Sequence, residues 1–318
     1  MKKFSKTFKS GPFEFPKLGK EHPLYGTLLA REIRNLDLLP DFSEDDGIFI
    51  LSDFGGEHRE ASFQTYSFLF CSADKRSLFE NRTKEIREKY KLNTPWKELS
   101  YKDLRYGPIK RALSEILDAA DALIHGLLLT ISIDKNIQSM FGQNKTDGHS
   151  KIIELLKTNG LGQWKGNEAE KLLRICHPIG ILLSVMGDDG KKIFWMCDHD
   201  SINAEGKERD FSHTQKVLFQ ASKMYSDNEY KIFGFAKPFN KDHGTSDLLS
   251  LTDFSAGAIQ ELLQSEITGK DINVTIEKEK IMKWMGTKSK FLKKANIVFT
   301  KKDDETWGVG PVTITAKI

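Results

Sequence analysis

The sequence predicts an α/β protein built on a mixed sheet with helices on both faces. Three observations lead there. Apolar runs of strand length recur along all 318 residues, at GIFILSD, HGLLLTISID, KKIFWMCD and YKIFGFAK. Between the later runs lie segments with helical apolar spacing, and crossovers of that length join parallel strands. Between the first run and ASFQTYSFLFCS there is only the short GGEHRE segment, which suits an antiparallel pair.

Taken in order, residues 1–46 read as a basic N-terminal arm of little regularity, with a short helix at TLLAREIRNLDLL. Residues 47–53 form the first buried strand, and ASFQTYSFLFCS its partner. KRSLFENRTKEIREKYKL is a charged amphipathic helix, and WKELSYKDL a short extended piece. YGPIKRALSEILDAADALI is a helix with Pro108 near its start, where proline is tolerated. HGLLLTISID is a strand ending in Asp134. Residues 136–186 read as a helical insertion broken at TNGLGQWKGNEAE; both flanks of that glycine-rich break are helical, so it is a loop rather than a phosphate cradle. A strand to Asp198, a helix capped by Asp210 or Ser212, a strand at YKIFGFAK and an apolar helix at LLSLTDFSAGAIQELLQ follow. These elements complete a domain spanning 47–267. Residues 268–318 form a lysine-rich α+β extension ending in a hairpin.

Composition excludes several classes. Apolar residues make up 39% and charged residues 29% of the chain, as in ordinary globular proteins. No apolar run reaches the roughly 18–20 residues that cross a bilayer, so no membrane is expected. The basic N-terminus has only single phenylalanines, unlike a signal peptide. Three cysteines (Cys71, Cys176, Cys197) without a CxxC pair suit a reducing, cytoplasmic setting rather than a disulfide framework. No zinc set emerges from Cys176–His177 or from Cys197 and His199. A net charge of +3 is small, but its distribution is uneven. Lys2, Lys3, Lys6, Lys9, Lys17 and Lys20 crowd the first twenty residues. IEKEKIMKWMGTKSKFLKK carries Lys283, Lys288, Lys290 and Lys293 among aromatics, a pattern that suits a nucleic-acid backbone.

The candidate site comes from acids that end apolar strands: Asp53, Asp134 and Asp198, with Asp200 two residues on. Parallel strands bring their carboxyl ends to one edge, where ligands bind. Carboxylates gathered there repel one another unless a cation joins them, and Mg²⁺ or Mn²⁺ is suited to oxygen ligands. Two such ions support in-line hydrolysis of a phosphodiester. Asp253 stands out within LLSLTDFSAGAI, since a lone carboxylate among apolar and small residues is costly to bury. Each acid also has an ordinary reading as a turn residue or cap.

SDFGGEH, FQTYSFLF, WKELSYKDLRYGPIKRALSEIL, MCDHDS and SDLLSLTDFSAGAIQELL together resemble the ribonuclease H-like family labelled domain of unknown function 3800. The resemblance covers roughly residues 47–265, and the closing helix is its most specific part. It implies a ribonuclease H-like fold and a divalent-metal-dependent nuclease with Asp53, Asp198 and Asp253 at the metals. Asp134 and Asp200 are secondary ligands in this reading, and Lys102 stands near a phosphate. Two positions depart from the pattern: Phe54 follows Asp53 where the family has glutamate, and Ser100 stands where it has an acid. Glu57, Glu98 and Asp103 are the substitutes at hand. A catalytically inactive nucleic-acid-binding protein is the alternative those departures suggest, and a phosphatase of small esters is a third.

Overall fold

The computed structural model describes residues 7–15, 18–93, 98–198, 200–203, 205, 209–236, 243–269, 274–302 and 306–315. Lys2, Lys3, Lys6, Lys17 and His199 lie outside them. The first elements are β1 (Phe8–Ser10), α1 (Leu24–Arg34) and β2 (Leu38–Pro40), then β3 (Gly47–Gly55), β4 (Phe63–Ser72), α2 (Arg76–Tyr90) and α3 (Gly107–Leu123). There follow β5 (Gly126–Asp134), α4 (Lys145–Thr158), α5 (Gly166–Met186), β6 (Lys192–Cys197), α6 (Phe211–Lys223) and β7 (Ile232–Ala236). The chain closes with α7 (His243–Thr268), α8 (Ile276–Gly286), β8 (Leu292–Lys301) and β9 (Trp307–Pro311).

Seven strands form one mixed sheet in the order β7-β6-β3-β4-β5-β8-β9. The tight connection makes β3 and β4 antiparallel, whereas β6 joins β3, β7 joins β6 and β8 joins β5 in parallel, each after a helical crossover. The mixed sheet with flanking helices expected from the spacing is therefore present. Period-two alternation distributes the core to both faces. Ile48 and Ile50 of β3 join Trp195 and the apolar side of α5, while Phe49 and Leu51 join Met196 and α7.

The terminal regions are part of this body. Tyr25, Leu29 and Ile33 of α1 are fully buried in the core shared with α5. Pro178 lies inside α5 and has no N–H for the carbonyl one turn back, that of Arg174. The hydroxyl of Tyr25 donates to that carbonyl at 3.0 Å, so the gap in the α5 ladder becomes the anchor for α1. At the other end, β8 and β9 extend the main sheet instead of forming a separate appendage, and α5 is a full layer of the core instead of an insertion. The piece read as extended at WKELSYKDL includes a short 3-10 turn at Tyr101–Asp103. Among the described residues, no helix is long and apolar enough to cross a membrane.

Candidate functional site

Asp53 sits near the end of β3, on the face that carries Phe49 and Leu51 toward α7. The parallel register pairs Ser52 with Cys197, and the amide of Asp198 then donates to the Ser52 carbonyl at 3.2 Å. Pairing thus runs one step past β6. Asp198 lies beside Asp53, on the face of Met196. Small residues let α7 descend onto this edge: a Cβ placed on Gly55 would stand 3.6 Å from the Ala256 Cβ, and the Ser255 and Thr130 hydroxyls hydrogen-bond. Asp253, ten residues into α7 and so not a cap, enters from above.

A turn fixes Asp253 in place. The Tyr101 amide donates to Asp253 Oδ2 at 2.7 Å. Tyr101 is held in turn by its hydroxyl, which donates to Glu261 at 3.0 Å, and by the Lys278 ammonium 4.9 Å from its ring centre. Gly257 makes room for the ring, because a Cβ there would lie 2.4 Å from Tyr101 Cδ1.

The three acids act on one another electrostatically. Burial, and then the charges of Asp253 and Asp198, push the Asp53 carboxyl up to about 8, against a hydrogen bond from the Phe54 amide. Burial raises Asp253 to about 6; the Tyr101 amide opposes this, Asp198 adds to it, Lys102 lowers it and Glu98 raises it. Both carboxyls therefore hold their protons more tightly than an exposed aspartate. Lys102, exposed on the same turn as Tyr101, acts on Asp253 through its charge. The donor set is all carboxylate oxygen, which suits Mg²⁺ or Mn²⁺. Among the described residues, however, no three His, Cys, Asp or Glu side chains are gathered so as to hold a metal ion. Asp53, Asp198 and Asp253 influence one another at electrostatic range, not at ligating range.

Two expected ligands are engaged elsewhere. Asp53 pairs across the sheet with Ser67 and Ser67 with Thr130, so Asp134 lies four residues further along β5, about 13 Å beyond that level. Its carboxylate accepts from the Asn136 amide at 2.8 Å and the Lys301 amide at 3.3 Å, ending the strand and tying down β8. This is the turn-forming use of aspartate. Asp200 turns over the sheet edge to the α5 side, where it pairs with Lys171 and accepts from the Ile202 amide at 3.1 Å.

Lys171 is the residue that sequence reasoning missed. Its ammonium, 11% exposed, also pairs with Glu57 and lies 5.0 Å from the centre of the Phe54 ring. The signal available was a band of charge (Glu168, Glu170, Lys171, Arg174) on a helix otherwise almost wholly apolar. Phe54 faces away from Asp53 and packs on Tyr66, with ring centres 5.7 Å apart. Of the substitutes for the missing acid, Glu98 acts on Asp253, whereas Glu57 is committed to Lys171. Ser100 opens the turn, its carbonyl accepting from the Asp103 amide at 3.0 Å.

The C-terminal lysines sit at the opposite edge. Leu292 pairs with Gly126, the first residue of β5, so the turn before β8 lies at the amino ends of the parallel strands. That is four residues, about 13 Å, from the level of Asp53 along the strands, and three strands away across the sheet. Lys283 pairs with Glu279 at 2.6 Å and Lys293 with Asp37, while Lys288 and Lys290 are exposed. These four side chains cannot grip a phosphate held at Asp53.

The buried thiols are poor nucleophiles. Burial pushes Cys71 up to about 12 and raises Cys176 and Cys197 well above the ordinary thiol range. His177 Nδ1 lies 2.7 Å from the Tyr225 hydroxyl, and burial lowers it to about 3. No protein-family model, no curated protein and no solved structure matches this chain.

Proposed function

We propose that the chain is a divalent-metal-dependent nuclease of ribonuclease H-like architecture, hydrolysing phosphodiester bonds in DNA or RNA. The observation that carries this reading is the lateral adjacency of Asp53 and Asp198 on one sheet face beneath Asp253. It is supported by the way the chain builds that adjacency. The strand bearing Asp198 is the parallel neighbour of the strand bearing Asp53, and the helix with the closing motif packs on their common face.

In this reading Asp53, Asp198 and Asp253 would close from electrostatic to ligating range around Mg²⁺ or Mn²⁺, which would supply Lewis acidity and an activated water. The chain's own groups do the positioning. Tyr101 holds Asp253 through its backbone amide, and Lys102 offers a cation beside the same carboxylate, where a substrate phosphate can meet it. Cations and protons compete for Asp53 and Asp253, so raising the pH favours metal binding.

The test is cleavage of labelled single-stranded and duplex DNA and RNA with Mg²⁺ or Mn²⁺. Asp53→Asn and Asp253→Asn should each lower the rate by at least about 100-fold, and Lys102→Ala by about tenfold. Unchanged cleavage in both aspartate variants would refute the site. A second reading, a nucleic-acid-binding protein without turnover, is favoured by Phe54 at the family's glutamate position and by the lack of a metal-holding set among the described residues. It predicts binding without cleavage and a melting temperature indifferent to divalent metal.

A further inference from the structure

Two clefts open beside the carboxyl edge of the sheet, on the α5 side. The first, about 460 Å³, lies over Gln64 and Tyr66 and is rimmed by Lys135, Lys145, Lys171 and Arg174. The second, about 1090 Å³, lies between the start of α1, residues 136–144 and β9; Phe141 and Trp307 line it together with the amides of Asn136 and Gln143. Ile137 and Gln138 line both, so the clefts adjoin at these residues and lie end to end as a trough in two parts. Its narrow end stops at the lip where Lys171 meets Asp200, and the Asp200 charge is felt by Asp53.

The narrow cleft is lined by Lys135, Lys145, Lys171 and Arg174 against Glu57, Glu168 and Glu170, and Lys171 also meets Asp200. The positive charge not spent on its own acids is therefore that of Lys135 and Lys145. Glu57 is paired with Lys171, Glu168 with Arg209 at 2.9 Å and Glu170 with Arg174 at 2.8 Å. Lys135 hydrogen-bonds a carbonyl oxygen, that of His58 at 2.6 Å, and Lys145 is exposed at the first turn of α4. Lys135 and Lys145, leading to a cleft lined by an indole, a phenyl ring and primary amides, match phosphates with bases attached. Unpaired bases offer their flat faces to aromatic rings and their edges to amides, whereas a duplex hides the faces within its stack.

We propose that this trough binds a single strand of nucleic acid, with phosphates along the lysine-rimmed cleft and bases against Phe141 and Trp307, and leads it to the lip at Lys171 and Asp200. The binding follows from the trough alone; that the strand is then cut rests on the nuclease reading. The lysine-rich turn before β8, at the other edge of the sheet, takes no part.

Fluorescence anisotropy of a labelled oligothymidylate, and of the same strand annealed to its complement, tests this in EDTA, where metal-dependent cleavage does not intervene. The full chain should bind the single strand more tightly than the duplex. Lys145→Gln should weaken binding about three- to tenfold and lower the salt slope by about one. Trp307→Ala should weaken it by about tenfold, with Trp307→Phe recovering most of the loss. The paired change Lys288→Gln and Lys290→Gln should leave it unaltered. Preference for the duplex, unchanged affinity in Lys145→Gln and Trp307→Ala, or a loss confined to Lys288 and Lys290 would overturn the proposal. Loss of cleavage in Asp53→Asn alongside wild-type binding by the trough variants would reject the trough and keep the nuclease. Weakened binding in the trough variants with no aspartate-dependent cleavage would do the reverse.

Discussion

The amide of Tyr101 donates to the carboxylate of Asp253 at 2.7 Å, joining residues 152 apart in the chain. That bond aims the acid of α7 at the end of β3, and it exists because Gly257 leaves space for the Tyr101 ring. Gly257→Ala should displace the turn and cost about 1–3 kcal/mol, as overpacking does. Urea unfolding measures the loss. Because Lys102 belongs to the same turn, any cleavage activity should fall with it.

Stability should fall as pH rises through the neutral range. Asp53 is pushed up to about 8 and Asp253 to about 6, both above the ordinary aspartate value, so between about pH 4 and 8 the folded chain binds more protons than the unfolded one. Stability from these two groups is greatest in acid and declines as pH climbs toward 8. Asp53→Asn removes the charge, so it should raise the melting temperature by about 2–6 °C at pH 8 and by much less at pH 5. Scanning fluorimetry at the two pH values gives the comparison. An equal shift at both would place the cause outside ionisation.

Lys171→Met should sharpen that pH dependence. Without the ammonium, Asp200 and Glu57 lose their shared partner, and the Asp200 charge bears more strongly on Asp53. The expected cost is about 1–3 kcal/mol, concentrated above neutral pH. Lys171→Arg should retain most of the stability. Denaturant titrations at pH 6 and pH 8 separate these outcomes.

A buried ion pair ties α2 to α7. Arg87 Nε lies 2.8 Å from an Asp247 oxygen, and both residues are 1% exposed. Removing one partner leaves an unpaired buried charge, so Arg87→Met should cost about 3–5 kcal/mol. Joined with Asp247→Leu, the same change should recover most of that loss. A double-mutant cycle in urea tests the pair.

The layout of β3 and its neighbours was legible because apolar runs mark buried strands and connection length marks their direction. Asp53 and Asp198 could be named for the same reason. Nothing local separated them from Asp134: its distance from the others comes from the Asp53–Ser67–Thr130 register, which cross-strand pairing sets. Direction likewise decided the lysines. KSKFLKK looks like a phosphate grip in one dimension, but β8 starts level with the start of β5 and runs parallel to it, which keeps these lysines toward the amino edge. Lys171 was hidden because a single lysine on a helix carries no mark of the two distant acids it joins. The burial of α1 could not be read either, since it depends on a carbonyl freed by Pro178 in another helix.

Titration of the wild-type chain with Mn²⁺, followed by electron paramagnetic resonance at pH 8, tests the central claim most directly. Bound manganese should be seen in the wild type and lost on replacing Asp53 or Asp253 by asparagine, while Asp134→Asn leaves it intact. Absence of binding by the wild type, or equal binding by all four proteins, would contradict the account.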